Sequence, residues 1–272
     1  MVYLRSIAVD AAHKLLKRRN RSRALVEHDY EAGDWKREAD EAAWLANSTL
    51  TEYVERAHVD RRMRVTVDGR LHTMPVREYY RFRRHKLAAI MDEFAPDAAQ
   101  LVELGSGTGA IVFELAATLE GRRFLGLDLS RQGISVARTV ADHYGLPNAE
   151  FAQIDLLDPA SPGWARLEGQ VVYSHYCLEQ LPRHTEAIFR NIAAAGAKRA
   201  VLIEPSFELL GLASLRDLAT RSYVLRQDYQ RSIVQAARQL ESEGVIRIVE
   251  TRRLDFVSSH RNFGTLLVFD CL

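Results

Sequence analysis

From Ala99 to the C-terminus the sequence keeps one rhythm. Apolar runs that stop at turn residues ("AQLVELG", "RFLGLDLS", "AEFAQIDLLD", "QVVYSHYC", "RAVLIEPS") are interleaved with stretches whose apolar residues recur every three or four positions, such as "GAIVFELAATLEG", "SRQGISVARTVADHYGL" and "RHTEAIFRNIAAAGA". Strands alternating with helices build a parallel sheet covered on both faces. The ending breaks the rhythm: after the helix-like "LRQDYQRSIVQAARQLESEG" come "VIRIVETRRLDFV" and "GTLLVFDCL" with a short connection between them. A parallel pair needs a crossover long enough for a helix. The last strand therefore runs antiparallel. The reading is an α/β fold with seven strands over residues 96–272, preceded by a helical cap over residues 1–95.

The cap is read from a helical face formed by Ala42, Leu45, Ala46, Thr49, Leu50 and Tyr53. A hairpin or extended linker follows, with Val65 and Val67 alternating before the turn dipeptide Asp68-Gly69. The helical "VREYYRFRRHKLAAIMDEF" then runs to Pro96. With a formal net charge of +1, the chain has no global basic field to attract nucleic acid. The basic run Lys17–Arg23 is followed closely by Glu27, Asp29, Glu31 and Asp34 and reads as a solvated helix face. Two cysteines, Cys177 and Cys271, form neither a disulfide framework nor a metal pattern. No apolar run reaches the roughly 18 residues that span a membrane, and the N-terminus lacks the layout of a secretory signal. A cytoplasmic protein is the expectation, and a homodimer is compatible with it.

At Gly105-Ser106-Gly107-Thr108-Gly109 a strand meets a helix through small residues. Such a turn brings backbone N–H groups and the positive helix end against a ligand. Gly105-x-Gly107-x-x-Ala110, with Asp128 about twenty residues on, satisfies the dinucleotide fingerprint, so a nicotinamide cofactor fits the glycines alone. Three features favour another ligand. Glu103 stands two residues before the first glycine, where a carboxylate repels pyrophosphate and suits an ammonium group. Asp155 ends the next strand. No second domain follows to hold a substrate against a nicotinamide.

The stretch from about Gln100 onward resembles the class I S-adenosylmethionine-dependent methyltransferases, whose sheet is Rossmann-like. "VELGSGTG" matches that family's first motif and "LGLDLS" the second, while "QIDLLD" and "LEQLP" resemble the motifs after the third and fourth strands. The resemblance implies S-adenosylmethionine as cofactor and a role for each matching position. Glu103 faces the methionine ammonium. Gly105, Ser106, Gly107 and Gly109 accommodate the carboxyl-propyl and ribose part. Asp128 accepts both ribose hydroxyls, and Leu129 packs on the adenine. Asp155, beside Leu156, accepts from the adenine amino group, and Ser174 offers its carbonyl near the methionine end. In many small-molecule members a helix before the sheet closes over the cofactor, which makes Tyr79, Tyr80 and Arg83 candidates. Gln180 departs from the histidine frequent in the family.

Methyl transfer is an in-line displacement at a sulfonium methyl, so the protein's task is to align the acceptor at about 3–3.5 Å and exclude water. A base is needed only for a protonated acceptor. His175, just past the fourth strand, is the candidate catalytic base, with Tyr176, Glu179 and Glu204 as candidate acceptor contacts. Balanced charge and a helical segment able to roof a pocket point to a small-molecule acceptor methylated at oxygen or nitrogen. A peptide or protein acceptor, an NAD-dependent oxidoreductase and a non-catalytic scaffold that keeps the methyltransferase fold are the alternatives.

Overall fold

The computed structural model describes residues 2–16, 48–259 and 263–272. Ala42, Leu45 and Ala46 of the expected face, and the basic run Lys17–Arg23, lie outside the described residues. Helix α1 (Val2–Leu16) packs on a later helix, Leu215–Gln227, with Asp10 paired to Arg226 at 3.1 Å. The short helix α2 (Leu50–Val54) begins at a capping box, in which the Thr49 hydroxyl accepts from the Glu52 N–H and the Glu52 carboxylate accepts from the Thr49 N–H.

Strands β1 (Arg62–Val67) and β2 (Arg70–Pro75) settle the choice between hairpin and linker. They pair antiparallel through a two-residue loop, Asp68-Gly69, in which both residues have positive φ (48° and 69°). That is the primed turn whose twist suits a hairpin. Helix α3 (Val76–Phe94) follows, starting after Pro75.

The seven-stranded sheet comprises β3 (Gln100–Leu104), β4 (Arg123–Asp128), β5 (Ala149–Gln153), β6 (Val171–His175), β7 (Arg199–Pro205), β8 (Ile246–Arg253) and β9 (Gly264–Cys271). Its order is β5-β4-β3-β6-β7-β9-β8, parallel except for β9, which runs against both neighbours. Helices α4 (Ala110–Ala116), α5 (Arg131–His143), α6 (Thr185–Ala194), α7 (Leu215–Gln227) and α8 (Ile233–Ser242) connect the strands.

Strand side chains alternate between two cores. Leu101, Tyr173 and Val201 share one with Leu87 and Met91 of α3, so the last helix of the expected cap packs in the sheet's own core. Val102, Leu104, Val172 and Leu202 share the other with Phe189 of α6 and Leu240 of α8.

Two consequences of the strand order fix the site. The chain leaves β3 toward β4 and β5, then returns to β6 on the other side, so a crevice opens between the carboxyl ends of β3 and β6. Because β9 alone is reversed, β8 points the same way as β7. Gly264 pairs with Pro205 and Thr265 with Arg253, which brings residues 254–259 and Phe263 to that same edge.

Candidate active site

The first half of the crevice is a cavity of about 240 Å³. Its walls come from the ends of four strands: Glu103 and the Gly105–Gly107 turn after β3, Asp128 and Leu129 after β4, Asp155 and Leu156 after β5, and His175 to Cys177 after β6. Ten of the expected residues, Tyr176 among them, thus line one space. Ile111, Ile154, Leu157 and Leu181 add apolar surface, and Gln180 is also in the wall.

The turn is held tightly. Gly105 has φ 75°, and an added Cβ would fall on Cys177 Sγ, so β3 and the segment after β6 meet with no room for a side chain. The Gly107 N–H donates to Asp128 Oδ2 at 2.7 Å and the Ser130 N–H to Oδ1 at 2.8 Å. Both Asp128 oxygens are thereby aimed, and a carboxylate so held can accept from a hydroxyl pair. Glu103 is buried beside β6, where Tyr173 donates its hydroxyl to Oε2 at 3.3 Å. Burial, with the Asp128 and Glu114 charges added, holds the Glu103 carboxyl well above the usual carboxylate range. A ligand ammonium would neutralise that cost. Ser106 Oγ is buried without a hydrogen-bond partner among the described residues.

A second cavity of about 310 Å³ adjoins the first across His175 and Tyr176, which line both. Its other walls come from Tyr79 and Arg83 of α3, Ile203 of β7, Tyr223 of α7 and the segment Leu254–Ser259. Burial pushes His175 down to about 3, the Arg83 cation adding to the effect, so its imidazole is neutral. Tyr176 sits in the left-handed region, with φ 56°, a backbone cost that the surrounding packing must over-determine.

Several expected residues lie elsewhere. Glu204, expected at the acceptor, points into the protein: it is fully buried and accepts from Ser174 Oγ (2.8 Å), the Cys177 N–H (2.9 Å) and the Glu179 N–H (3.2 Å). Its carboxylate holds the segment after β6 in place from behind. Ser174 and Glu179 are buried in the same network and line neither cavity. Burial raises Glu204 to about 7 against these hydrogen bonds. Gly109 caps α4 in the left-handed conformation, φ 81°, and lies outside the lining. Tyr80 and Arg83, expected at the methionine end, line no part of the first cavity. The Arg56 and Arg83 guanidiniums stand 5.1 and 4.5 Å from the Tyr80 ring centre, and Arg83 pairs with Glu114.

The residues that sequence reasoning missed are Tyr223, Phe256, Ser258 and Ser259 of the second cavity. No local periodicity marks them. The one available signal was the reversed last strand, which brings Leu254–Ser259 to the ligand edge.

Known proteins share this fold. A solved magnesium protoporphyrin IX methyltransferase from Synechocystis PCC 6803 with bound S-adenosylmethionine superposes with a TM-score of 0.53 at 14% identity, covering 92% of this chain and 96% of that one. A geranyl diphosphate methyltransferase in complex with the same ligand gives 0.52 at 12% identity, over 71% of this chain and 87% of that one. Both are likenesses of fold. In sequence, the release factor glutamine methyltransferase of Vibrio cholerae is 36% identical over 73 residues, 27% of this chain and 26% of that protein. The chain spans about a quarter of the length of the curated relatives it matches. The model of the family described as "Methyltransferase domain" matches residues 96–261. With the aimed Asp128, the buried Glu103 and the glycine turn all on one cavity, the residues fit S-adenosylmethionine, and the chain belongs to the class I S-adenosylmethionine-dependent methyltransferases.

Proposed function

We propose that this protein transfers the methyl group of S-adenosylmethionine to a small-molecule acceptor at oxygen or nitrogen. The observation that carries the reading is the pair of cavities sharing His175 and Tyr176 as their common wall. When bound, S-adenosylmethionine supplies an electrophilic sulfonium methyl. In this reading Glu103 receives the methionine ammonium, Asp128 the ribose hydroxyls, and Leu129 and Leu156 the adenine, with Asp155 on its amino group. The second cavity holds the acceptor, with Tyr79 and Arg83 of α3 as the part of the N-terminal region that covers it.

His175 stands where the two cavities join. Its neutral imidazole accepts a hydrogen bond from an acceptor O–H or N–H and so aims a lone pair at the methyl group. Burial and Arg83 disfavour the imidazolium, and a base works best with its pKa near the working pH. Orientation is therefore its main task; the proton that the methylated oxygen or nitrogen loses would pass by way of the imidazole to solvent, and S-adenosylhomocysteine would leave as the neutral thioether. The family membership disfavours an oxidoreductase. A protein acceptor, the kind that the name of the Vibrio cholerae relative implies, needs a surface for an extended segment, whereas the second cavity is compact and walled by five segments.

The test is a calorimetric titration of S-adenosylhomocysteine, with NADH in parallel, on the wild type and on Asp128→Ala. Losing two charge-assisted hydrogen bonds to a ribose weakens binding by about 2–4 kcal/mol. The expected result is micromolar binding that falls by about thirtyfold or more in the variant, with no NADH binding. A well-folded protein that ignores S-adenosylhomocysteine would overturn the proposal. Methyl transfer from labelled S-adenosylmethionine to a protein fraction and to no small molecule would overturn its acceptor part.

A further inference from the structure

Arg83 is the one cationic side chain among the residues lining the second cavity, and no carboxylate lines it. Its Nε and Nη2 donate to Glu114 of α4. Its Nη1 has no acceptor among the described residues. A guanidinium carries five donors in a fixed fork, so the edge not engaged by Glu114 is available to a ligand. Around it the cavity is aromatic and aliphatic, with the Ser258 and Ser259 hydroxyls as further polar groups.

The surroundings reinforce that polarity. Residues 56–86 hold ten Arg and Lys against three Asp and Glu, in a chain whose formal net charge is +1. Three of these arginines, Arg77, Arg81 and Arg84, share the single carboxylate of Glu55. On the hairpin, Arg61, Arg64 and Arg70 are exposed and have no carboxylate partner among the described residues. The hairpin is tied to the cavity wall: the Thr66 and Val257 backbones exchange hydrogen bonds, and Thr66 Oγ1 donates to the Ser259 carbonyl at 3.1 Å. A basic surface thus runs up to a cavity whose own cation has a free edge, an arrangement that focuses anions.

We propose that the second cavity recognises a carboxylate on an apolar, ring-sized body, with Arg83 Nη1 as its anchor. This rests on the reading of that cavity as the acceptor site. A monoanion fits better than a phosphate dianion because Glu114 already offsets much of the Arg83 charge.

The test uses a matched pair of probes, 2-naphthoate and its uncharged amide 2-naphthamide, titrated calorimetrically into protein saturated with S-adenosylhomocysteine. A charge-assisted hydrogen bond in a dry site predicts about tenfold or greater preference for naphthoate. The double variant Arg83→Met/Glu114→Gln removes both charges and keeps the volume. It should cost naphthoate at least about tenfold and leave naphthamide within about twofold. Arg83→Lys keeps the Glu114 pairing but lacks the fork, and should weaken naphthoate even if the double variant does not fold. Equal affinities, binding of neither probe, or a preference that survives loss of Arg83 would overturn the proposal. The S-adenosylhomocysteine titration that precedes each run separates the two claims. Its failure sinks the methyltransferase reading, and the probe pair is then judged on the protein alone. Its success with indifferent probes sinks only the carboxylate anchor.

Discussion

Glu204 makes the stability of this protein depend on pH in a direction opposite to the usual carboxylate. Its folded pKa is raised from 4.5 to about 7, burial outweighing hydrogen bonds from Ser174, Cys177, Leu178 and Glu179. Between those two values the unfolded chain has released the proton and the folded one keeps it. Stability from this group is therefore fully present below pH 4.5 and is lost as pH rises through 7. The raised pKa corresponds to about 3 kcal/mol in total, of which roughly 2–3 kcal/mol disappears between pH 5 and pH 8. Glu204→Gln removes the titration. It also places an NH₂ group against donors that need an acceptor, a cost of roughly 1–3 kcal/mol, but that cost does not vary with pH. Urea unfolding of both proteins at pH 5, 6, 7 and 8 isolates the effect as the difference between wild type and variant. Other titrating groups cancel, including His175, whose contribution changes on the acid side. The wild type's advantage over Glu204→Gln should shrink by roughly 2–3 kcal/mol from pH 5 to pH 8. A difference flat to within about 0.5 kcal/mol would refute the claim that a buried, protonated Glu204 anchors the segment after β6.

Three further outcomes follow from the cavity walls. Gly105→Ala should destabilise the fold by about 2–4 kcal/mol, from the left-handed backbone and the overlap with Cys177, and adding Cys177→Gly should recover only the overlap; calorimetric melting of both variants checks this. Binding of S-adenosylhomocysteine should release a proton, because burial raises the Glu103 carboxyl well above the usual carboxylate range and a ligand ammonium would lower it again. Titration in buffers of different ionisation enthalpy should show that release in the wild type and its absence in Glu103→Gln, with affinity rising as pH rises. His175 is depressed from 6.5 to about 3, so its stabilising contribution is present above pH 6.5 and lost as pH falls toward 3; His175→Phe should flatten that acid limb in chemical unfolding.

The glycine turn and the acid after β4 were legible because their logic is local. A strand that must end, a backbone that must approach a ligand and a helix that must begin all leave marks within ten residues, "LVELGSGTGA". Asp128 came from the same source, since it stands at the end of the next strand, and Asp155 and Leu156 repeat the position one strand later. The reversed β9 was legible too, because chain length alone forbids a crossover between the last two strands.

Of the second cavity, Tyr79, Arg83, His175 and Tyr176 were legible as single candidates but the space they share was not, and the reason is physical. Tyr79, Arg83, Tyr223, Phe256 and Ser258 come from three segments far apart in sequence, and an inward-facing aromatic on a helix has the same spacing whether it packs in a core or lines a space. Glu204 shows the converse error. An acid at the carboxyl end of a strand reads as a ligand contact, yet a neighbouring strand in register, with Ser174 opposite Leu202, brings a hydroxyl and successive backbone N–H groups onto it. Those donors belong to a turn that would otherwise bury them unpaired. The same carboxylate that looked like part of the chemistry is what keeps His175 to Cys177 standing between the two cavities. Its removal should therefore disturb cofactor and acceptor binding together, whereas loss of Asp128 or of Arg83 should disturb one and spare the other.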